Sequence, residues 1–422
     1  MRRLSEEKEK RRMQPTIVQG PDKKIQERIS REIQEEYARK ADSLKRREDF
    51  RKEFDYFLEV LSLAANPIKF KERFNKPLAG LYCISTPLEL FDAFGLHPLR
   101  LHCGLLPVHK LSFSFLPSTV CPAIKSCIGQ FYADNSLESL CEVMVIANSC
   151  YEKTKSLEIV KDRIKNLHVM QMPLDKESEK GQKRWIEEVY ELKKKLEKYT
   201  GKHFSRKGLL KSIDKYNRAW ELFGRLTEMK RSGLISEVWS VILTNAFMLD
   251  DVDSWSDKVS GLIDDDKGKK SAQEPKVFLV GSPLFFPYLK IAELIEEVGM
   301  SVVADDLCTS ERMFAGVVYK DPSEYGLLRA VAERYQLPCQ CPIFPDNSYR
   351  VKNILETMQK YNIKGVVFHL LKGCHIFDMA TYWFERLIKE NGFHFIKIET
   401  DYSPEDRENI ITRLEAFKEM IY

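Results

Sequence analysis

From about residue 80 onward, short unbroken apolar runs alternate with helical stretches, and this alternation constrains the fold more than any other feature. AGLYC, PLRLHC, VMVIAN and LHVMQM come first, and VFLVG, SVVADD, GVVFHL and FIKIE follow beyond residue 275. A strand that faced water on one side would alternate polar and apolar residues. Continuous runs separated by helices instead indicate βαβ units and buried parallel sheets. The expected class is α/β, with a first lobe over residues 76–175 and a second over 275–422. Their layouts resemble each other without a clear sequence repeat.

The segments between and before the lobes read differently. Residues 176–274 carry helical patterns only, in KRWIEEVYELKKKLEKY, LLKSIDKYNRAWELFGRLTEMKR and SEVWSVILTNAFML, and end in the polar boundary stretch DDDKGKKSAQEP. A helical bridge is expected there. Residues 1–75 read as an N-terminal helical extension, charged and helical from Lys24 to Leu63 and broken at Asn66-Pro67.

Charge and hydropathy exclude several classes. Twenty lysines and arginines stand against fifteen acids in residues 1–75, and the whole chain carries only +4, so the rest is close to neutral. Interspersed runs such as EEKEKRR mark a solvated helix rather than a nucleic-acid arm, and no readout motif accompanies them. No apolar run reaches the roughly 20 residues that span a bilayer, and MRRLSEEKEKRRM has no apolar stretch behind it to make a secretory signal. A cytoplasmic protein without nucleic-acid or membrane partners is expected. G-x-x-x-x-G-K-[ST], G-x-G-x-x-G after a strand, H-E-x-x-H and G-x-S-x-G do not occur in the sequence, which argues against ATP hydrolysis through a P-loop and against dinucleotide, zincin and serine-hydrolase chemistry. A Cys–His hydrolase at Cys374-His375 would leave the other thiols unexplained.

Ten cysteines in a reducing compartment are core residues, catalytic groups or metal ligands. Five of them sit at or just past the carboxyl end of an expected strand, the edge where open α/β sheets bind ligands: Cys83, Cys103, Cys150, Cys308 and Cys374. Cys121 and Cys127 in VCPAIKSC, and Cys339 and Cys341 in PCQCP, fall in Pro-containing loops that can present thiolates. Cys141, in SLCEVMV, reads as core, and Cys83 and Cys103 read equally as core or as ligands. Without a C-x2-C pair a zinc ribbon is unsupported, and the closely spaced ferredoxin run is missing. Widely separated soft thiolates meeting in an interlobe cleft suit an iron–sulfur cluster.

At these loops the chain resembles the 2-hydroxyacyl-CoA dehydratase/benzoyl-CoA reductase family, and its double-cubane cluster branch in particular. The resemblance covers about residues 76–422 and rests on AGLYCISTPLELFDAFGLHPLRL, VCPAIKS, ANSCYEKTK, VFLVGSPL, DDLCTSER, PCQCP, LLKGCHIFDM and IETDYSP, in the family's order. It implies two Rossmann-like lobes, a helical region and a cluster held between the lobes. Cys121, Cys150 and Cys374 match the three cysteines that hold a 4Fe–4S cubane in the dehydratases. Cys308 and one of Cys339 and Cys341 match further cysteines of the double-cubane branch, whose cofactor is an 8Fe–9S cluster with three thiolates on each cubane. That branch usually has a Cys-Pro between the positions of Cys121 and Cys150; here it is missing, and Cys127 or Cys141 would have to stand in as sixth ligand. CYEKTK also departs from the family's Cys-Asp-Gly-Lys-Lys-Lys, so the loop should differ in geometry.

The same resemblance implies the chemistry. A separate ATP-hydrolysing iron–sulfur activator supplies a low-potential electron. The dehydratases pass it to a substrate thioester as a ketyl radical, whereas the double-cubane branch reduces small molecules. Glu89, in the family's Pro-x-Glu segment, is the candidate proton donor or acceptor, equally readable as a carboxylate favoured by a helix N-terminus. His375 could tune or protonate near the cluster, and His369, inside a strand, reads as core. Glu399 and Asp401 should organise a turn before the last helix. The leading expectation is a homodimeric double-cubane-like reductase of anaerobic metabolism. Its competitors are a dehydratase subunit with one 4Fe–4S cubane, paired with a paralogous subunit on an acyl-CoA substrate, and a non-catalytic electron-transfer protein.

Overall fold

The computed structural model describes residues 21–101, 104–133, 136–264, 275–314 and 316–422. Strands form where the unbroken apolar runs lie: β1 (Leu78–Tyr82), β2 (His97–Arg100), β3 (Cys141–Ala147) and β4 (Leu167–Met170), then β5 (Lys276–Gly281), β6 (Ser301–Asp306), β7 (Gly365–Leu371) and β8 (His394–Thr400). They pair in two four-stranded sheets, ordered β2-β1-β3-β4 and β6-β5-β7-β8. Every pairing is parallel. The protein is an α/β molecule with two Rossmann-like lobes of the same strand order.

Burial explains the sequence pattern. β1, β2 and β7 are buried at every position because helices cover both faces of a parallel sheet. β8 closes the second sheet and is largely solvent-exposed or half-buried, with Lys397 blunting the edge.

Four helices connect the sheets: Glu179–Thr200, Arg206–Arg231, Glu237–Phe247 and Val252–Asp264. Phe223 stacks on Trp255 at 4.9 Å between centroids, and Phe247 closes on Trp220 at 5.2 Å. The helix Arg206–Arg231 packs on both the helix Leu88–Ala93 of the first lobe and β6 of the second. One hydrophobic core therefore runs from the first sheet through these helices to one face of the second sheet. A smaller core fills that sheet's other face.

The N-terminal pattern resolves into separate helices rather than one. Lys23–Lys45 buries Ile29, Ile33, Tyr37, Ala41 and Leu44, spaced three or four apart so that they form one stripe. After a turn, Asp55–Leu63 follows. Asn66-Pro67 opens a third helix, Pro67–Arg73, because Asn66 Oδ1 accepts the Lys69 amide at 3.2 Å and Pro67 takes the first helical position. Lys40 pairs with Glu293 at 2.6 Å, Arg47 with Glu296 at 2.6 Å, and Tyr37 meets Phe286 edge-on, so the extension covers apolar surface of the second lobe. MRRLSEEKEKRRM and most of DDDKGKKSAQEP lie outside the described residues. Among the described residues no helix is long and apolar enough to cross a membrane.

Candidate functional site

The strand order places a topological switch point between β1 and β3, and another between β5 and β7. At such points loops leave the sheet in opposite directions and open a crevice. Cys83 follows β1, Cys150 lies three residues beyond β3, Cys308 two beyond β6 and Cys374 three beyond β7.

Three thiols meet at helix N-termini. Cys121 caps Pro122–Gln130, Cys150 caps Tyr151–Val160 and Cys374 caps His375–Glu390. Each helix start offers unpaired N–H groups and the positive end of its dipole, both of which favour a thiolate. Cys150 Sγ accepts the Lys153 amide at 3.3 Å. Cys121, from the first lobe, and Cys374, from the second, hydrogen-bond through their sulfurs. That bond holds the Cys374 thiol below its ordinary range, and the same bond with burial pushes Cys121 well above it. Burial raises Cys150 against the pull of Lys153. The approach of the two lobes requires Gly373: its φ is +75°, and a Cβ there would lie 2.3 Å from the Thr119 carbonyl oxygen.

Glu152 ties these loops together. Its Oε2 accepts the Cys121 amide at 3.1 Å, and its Oε1 lies 3.7 Å from Nε2 of His375, whose side chain is 69% exposed. The helix starts at Tyr151 itself, so CYEKTK presents a carboxylate where the family's glycine would leave none. Lys125 is buried beside the pair, with Nζ donating to the Ser118 carbonyl at 2.6 Å, and burial lowers its pKa.

A second set of thiols is linked to the first through Lys153, which acts on both Cys83 and Cys150. Cys308, Cys339 and Cys341 are gathered around Arg312, and Cys83 of the first lobe reaches all three electrostatically. Burial pushes Cys308 and Cys339 up to about 11 and Cys341 up to about 12. Burial also opposes the charge on Arg312, but Asp306 and the neighbouring thiols more than restore it. Nη1 of Arg312 donates to the Gln340 carbonyl at 3.3 Å, whereas Nε and Nη2 are buried without hydrogen-bond partners. For Cys83, burial disfavours the thiolate, and Lys153 together with hydrogen bonds from Ser85 and Ser149 outweighs it; Lys153 also acts on Cys150.

The remaining candidates lie elsewhere. Glu89 is fully buried, its oxygens accepting Trp220 Nε1 at 3.2 Å and the Tyr335 hydroxyl at 2.8 Å. Cys127 is buried within the helix Pro122–Gln130, and Cys141 opens β3 with its thiol donating to the Leu137 carbonyl at 3.3 Å; both pack in the core. His369 is buried in β7, its Nδ1 2.9 Å from the Ser282 carbonyl oxygen, and burial lowers its pKa to about 4. Asp401 accepts the Ser403 amide at 2.8 Å and Lys372 Nζ at 2.9 Å, organising the turn before the last helix. Cys103 lies outside the described residues. Sequence reasoning missed Glu152, although an acid one residue after a strand-end Cys-Tyr was the available signal. It also gave Cys83 and Arg312 no place beside Cys308, because they are distant in the chain.

Among the described residues no three His, Cys, Asp or Glu side chains are drawn close enough to hold a single metal ion. A cluster differs, since iron and sulfide stand between its thiolates and spread them apart. The donor chemistry fits one: soft thiols from both lobes, three helix N-termini, and buried Arg312, whose Nη2 has no hydrogen-bond partner and whose Nε lies 3.9 Å from Asp306 Oδ1.

Comparison with known proteins agrees in class. A family model described as 2-hydroxyglutaryl-CoA dehydratase, D-component, matches residues 83–421. A putative dehydratase subunit YjiM from Escherichia coli is 26% identical over 87% of this chain and 97% of its own. The (R)-phenyllactyl-CoA dehydratase beta subunit of Clostridium sporogenes is 21% identical over 87% of this chain and 98% of its own. Among solved structures, a crystal structure of ZnuA covers 82% of this chain and 100% of its own at 9% identity and a TM-score of 0.20, too low to bear on the fold.

Proposed function

The chain belongs to the 2-hydroxyglutaryl-CoA dehydratase D-component family, and from that premise we propose that it is an iron–sulfur, dehydratase-type enzyme subunit whose cluster is held by Cys121, Cys150 and Cys374. The observation that carries this is the gathering of three cysteines at helix N-cap positions, two from the first lobe and one from the second. When bound, the cluster supplies one-electron chemistry at low potential. The electron would come from a separate ATP-hydrolysing activator, and the relative named as a beta subunit supports a multi-subunit assembly.

The chain's own residues then have distinct tasks. The helix N-termini, Lys125 and Lys153 offset negative charge at the site. His375, exposed beside Glu152, would carry a proton to or from a small acyl-CoA substrate. Glu89, with both oxygens engaged, is a positioning residue that links the first lobe to Trp220 and Tyr335.

A second reading, a reductase of the double-cubane type, is favoured by the gathering of Cys308, Cys339 and Cys341 around Arg312. Iron per chain separates the two, about eight against about four, because each cubane holds four irons. The test is anaerobic purification with iron, sulfide and EPR analysis, followed by oxidation of the reduced protein with 2-hydroxyacyl-CoA thioesters. Iron that is lost from Cys374→Ser supports the proposal. A chain that takes up no iron and sulfide overturns it.

A further inference from the structure

The helix His375–Glu390, which starts at Cys374, presents large side chains on two faces. One face buries Phe377, Thr381, Phe384 and Ile388 against the second lobe, spaced three or four apart. The opposite face of a surface helix is ordinarily polar, yet Met379, Tyr382 and Trp383 are 79%, 69% and 62% exposed. Their spacing of three and four places them in one strip with His375. Tyr382 and Trp383 meet edge-on at 5.9 Å, and Arg386 lies over the Trp383 ring at 5.8 Å. Tyr151, 79% exposed, adjoins Glu152, whose Oε1 faces His375, and so adds an exposed aromatic from the first lobe at the strip's near end. We infer that this strip is the docking surface of the one-electron donor protein; the inference rests on the proposed iron–sulfur reading and adds where the donor binds.

Area, position and charge favour that occupant over a permanent subunit. At about 200 Å² for a full aromatic side chain, the four exposed residues present about 500–600 Å². A contiguous apolar patch of that size marks an interaction site. It matches a transient redox contact of about 600 Å² a side and falls short of the about 1,000 Å² a side at which permanent assemblies begin. Along a helix rising 1.5 Å per residue, Met379 lies about 8 Å and Trp383 about 14 Å from Cys374. A protein seated there brings its own redox centre toward the Cys374 end of the helix. A permanent subunit would instead stand over His375, which is 69% exposed and which the proposed function leaves open to substrate. The helix's charges are paired locally, Arg386 with Glu390 at 2.7 Å, Lys389 with Glu385 at 2.6 Å and Asp378 with Lys397 at 3.1 Å. Docking is therefore apolar, and its affinity should be nearly insensitive to salt.

In the docked complex one electron passes to this chain's cluster, so the donor is oxidised by one electron and the cluster reduced by one. ATP hydrolysis on the donor drives the transfer, and no covalent bond of this chain forms or breaks. Departure of the spent donor then leaves His375 free for substrate.

The test uses the full chain, purified and reconstituted anaerobically, with an ATP-hydrolysing iron–sulfur activator as protein donor and dithionite as a small reductant that needs no docking. The double variant Met379→Gln, Trp383→Gln should be reduced by activator and ATP about ten-fold or more slowly than wild type, with activator binding weakened to match. Its iron content, melting and reduction by dithionite should stay at wild-type values. Tyr319→Gln, which removes an aromatic 81% exposed outside the strip, should behave as wild type throughout. Wild-type reduction by the activator in the double variant overturns the inference, and so does loss of iron from it. A wild-type dimer that the two substitutions dissociate in sedimentation also overturns it, by putting a second copy of the chain on the strip. An iron-loaded wild type that the activator neither binds nor reduces overturns it while the proposed function stands. An iron-free wild type that binds the activator through Met379 and Trp383 keeps the surface and overturns the proposed function; one that binds none overturns both.

Discussion

Glu152 and His375 face each other across the lobe interface, Oε1 3.7 Å from Nε2, while the other Glu152 oxygen holds the Cys121 amide at 3.1 Å. One carboxylate thus fixes the Cys121 loop, its own Cys150 helix and the Cys374 helix. Removing it in Glu152→Ala should loosen all three without taking away a thiol. A half-exposed charge-assisted bond of this kind contributes about 1 kcal/mol, so iron release to a chelator should speed up about five-fold. An unchanged release rate would show that the carboxylate does not organise the site.

Thiol substitutions should divide by position. Cys121→Ser, Cys150→Ser and Cys374→Ser should each lower the iron content of the purified protein. Cys127→Ser and Cys141→Ser should leave iron unaltered and cost about 1–3 kcal/mol of folding stability, because a hydroxyl replaces a buried thiol in an apolar setting. Denaturant unfolding beside iron analysis distinguishes the two groups.

Lys230 is fully buried with three carboxylates, Glu237 at 2.9 Å, Glu311 at 2.7 Å and Asp305 in direct contact. It joins the helical region to β6, and its removal leaves buried negative charge unpaired. Lys230→Met should destabilise the protein by about 3–5 kcal/mol. The double variant Lys230→Met, Glu237→Gln should recover part of that loss in the same denaturant assay.

Glu138 is buried, accepts the Tyr82 hydroxyl at 2.7 Å, and burial pushes its carboxyl from 4.5 up to about 7. Between those pH values the folded state keeps a proton that the unfolded state has released. Its contribution to stability therefore falls as pH rises through that window and is lowest above about 7. Glu138→Gln, neutral throughout, should gain about 1–3 kcal/mol over wild type between pH 4.5 and pH 8. A stability difference that stays constant over that range would sink the argument.

Much of the fold was legible because burial leaves a pattern in the chain. β1, β3, β5 and β7 are central strands, dominated by apolar residues, and read directly. Asn66-Pro67 does end the N-terminal helical run, and the same two residues also cap and open the next helix, which only the position of the Lys69 amide shows. The three cysteines at helix N-cap positions were legible at strand ends and in a Pro-containing loop. Glu152 and Arg312 were not, since their roles depend on which loops face one another.

By itself the sequence determined two parallel sheets, a helical bridge and thiols collected at the sheets' carboxyl edges, because local periodicity and strand-end position are properties of neighbouring residues. Only the tertiary structure decided that the free thiols of Cys121 and Cys374 come together across the lobes, that Cys83 lies within electrostatic reach of thiols more than 200 residues away, and that Arg312 is buried beside the latter. Those relationships arise from packing one lobe against the other through a shared core, and no spacing along the chain encodes the distance between two sheet edges.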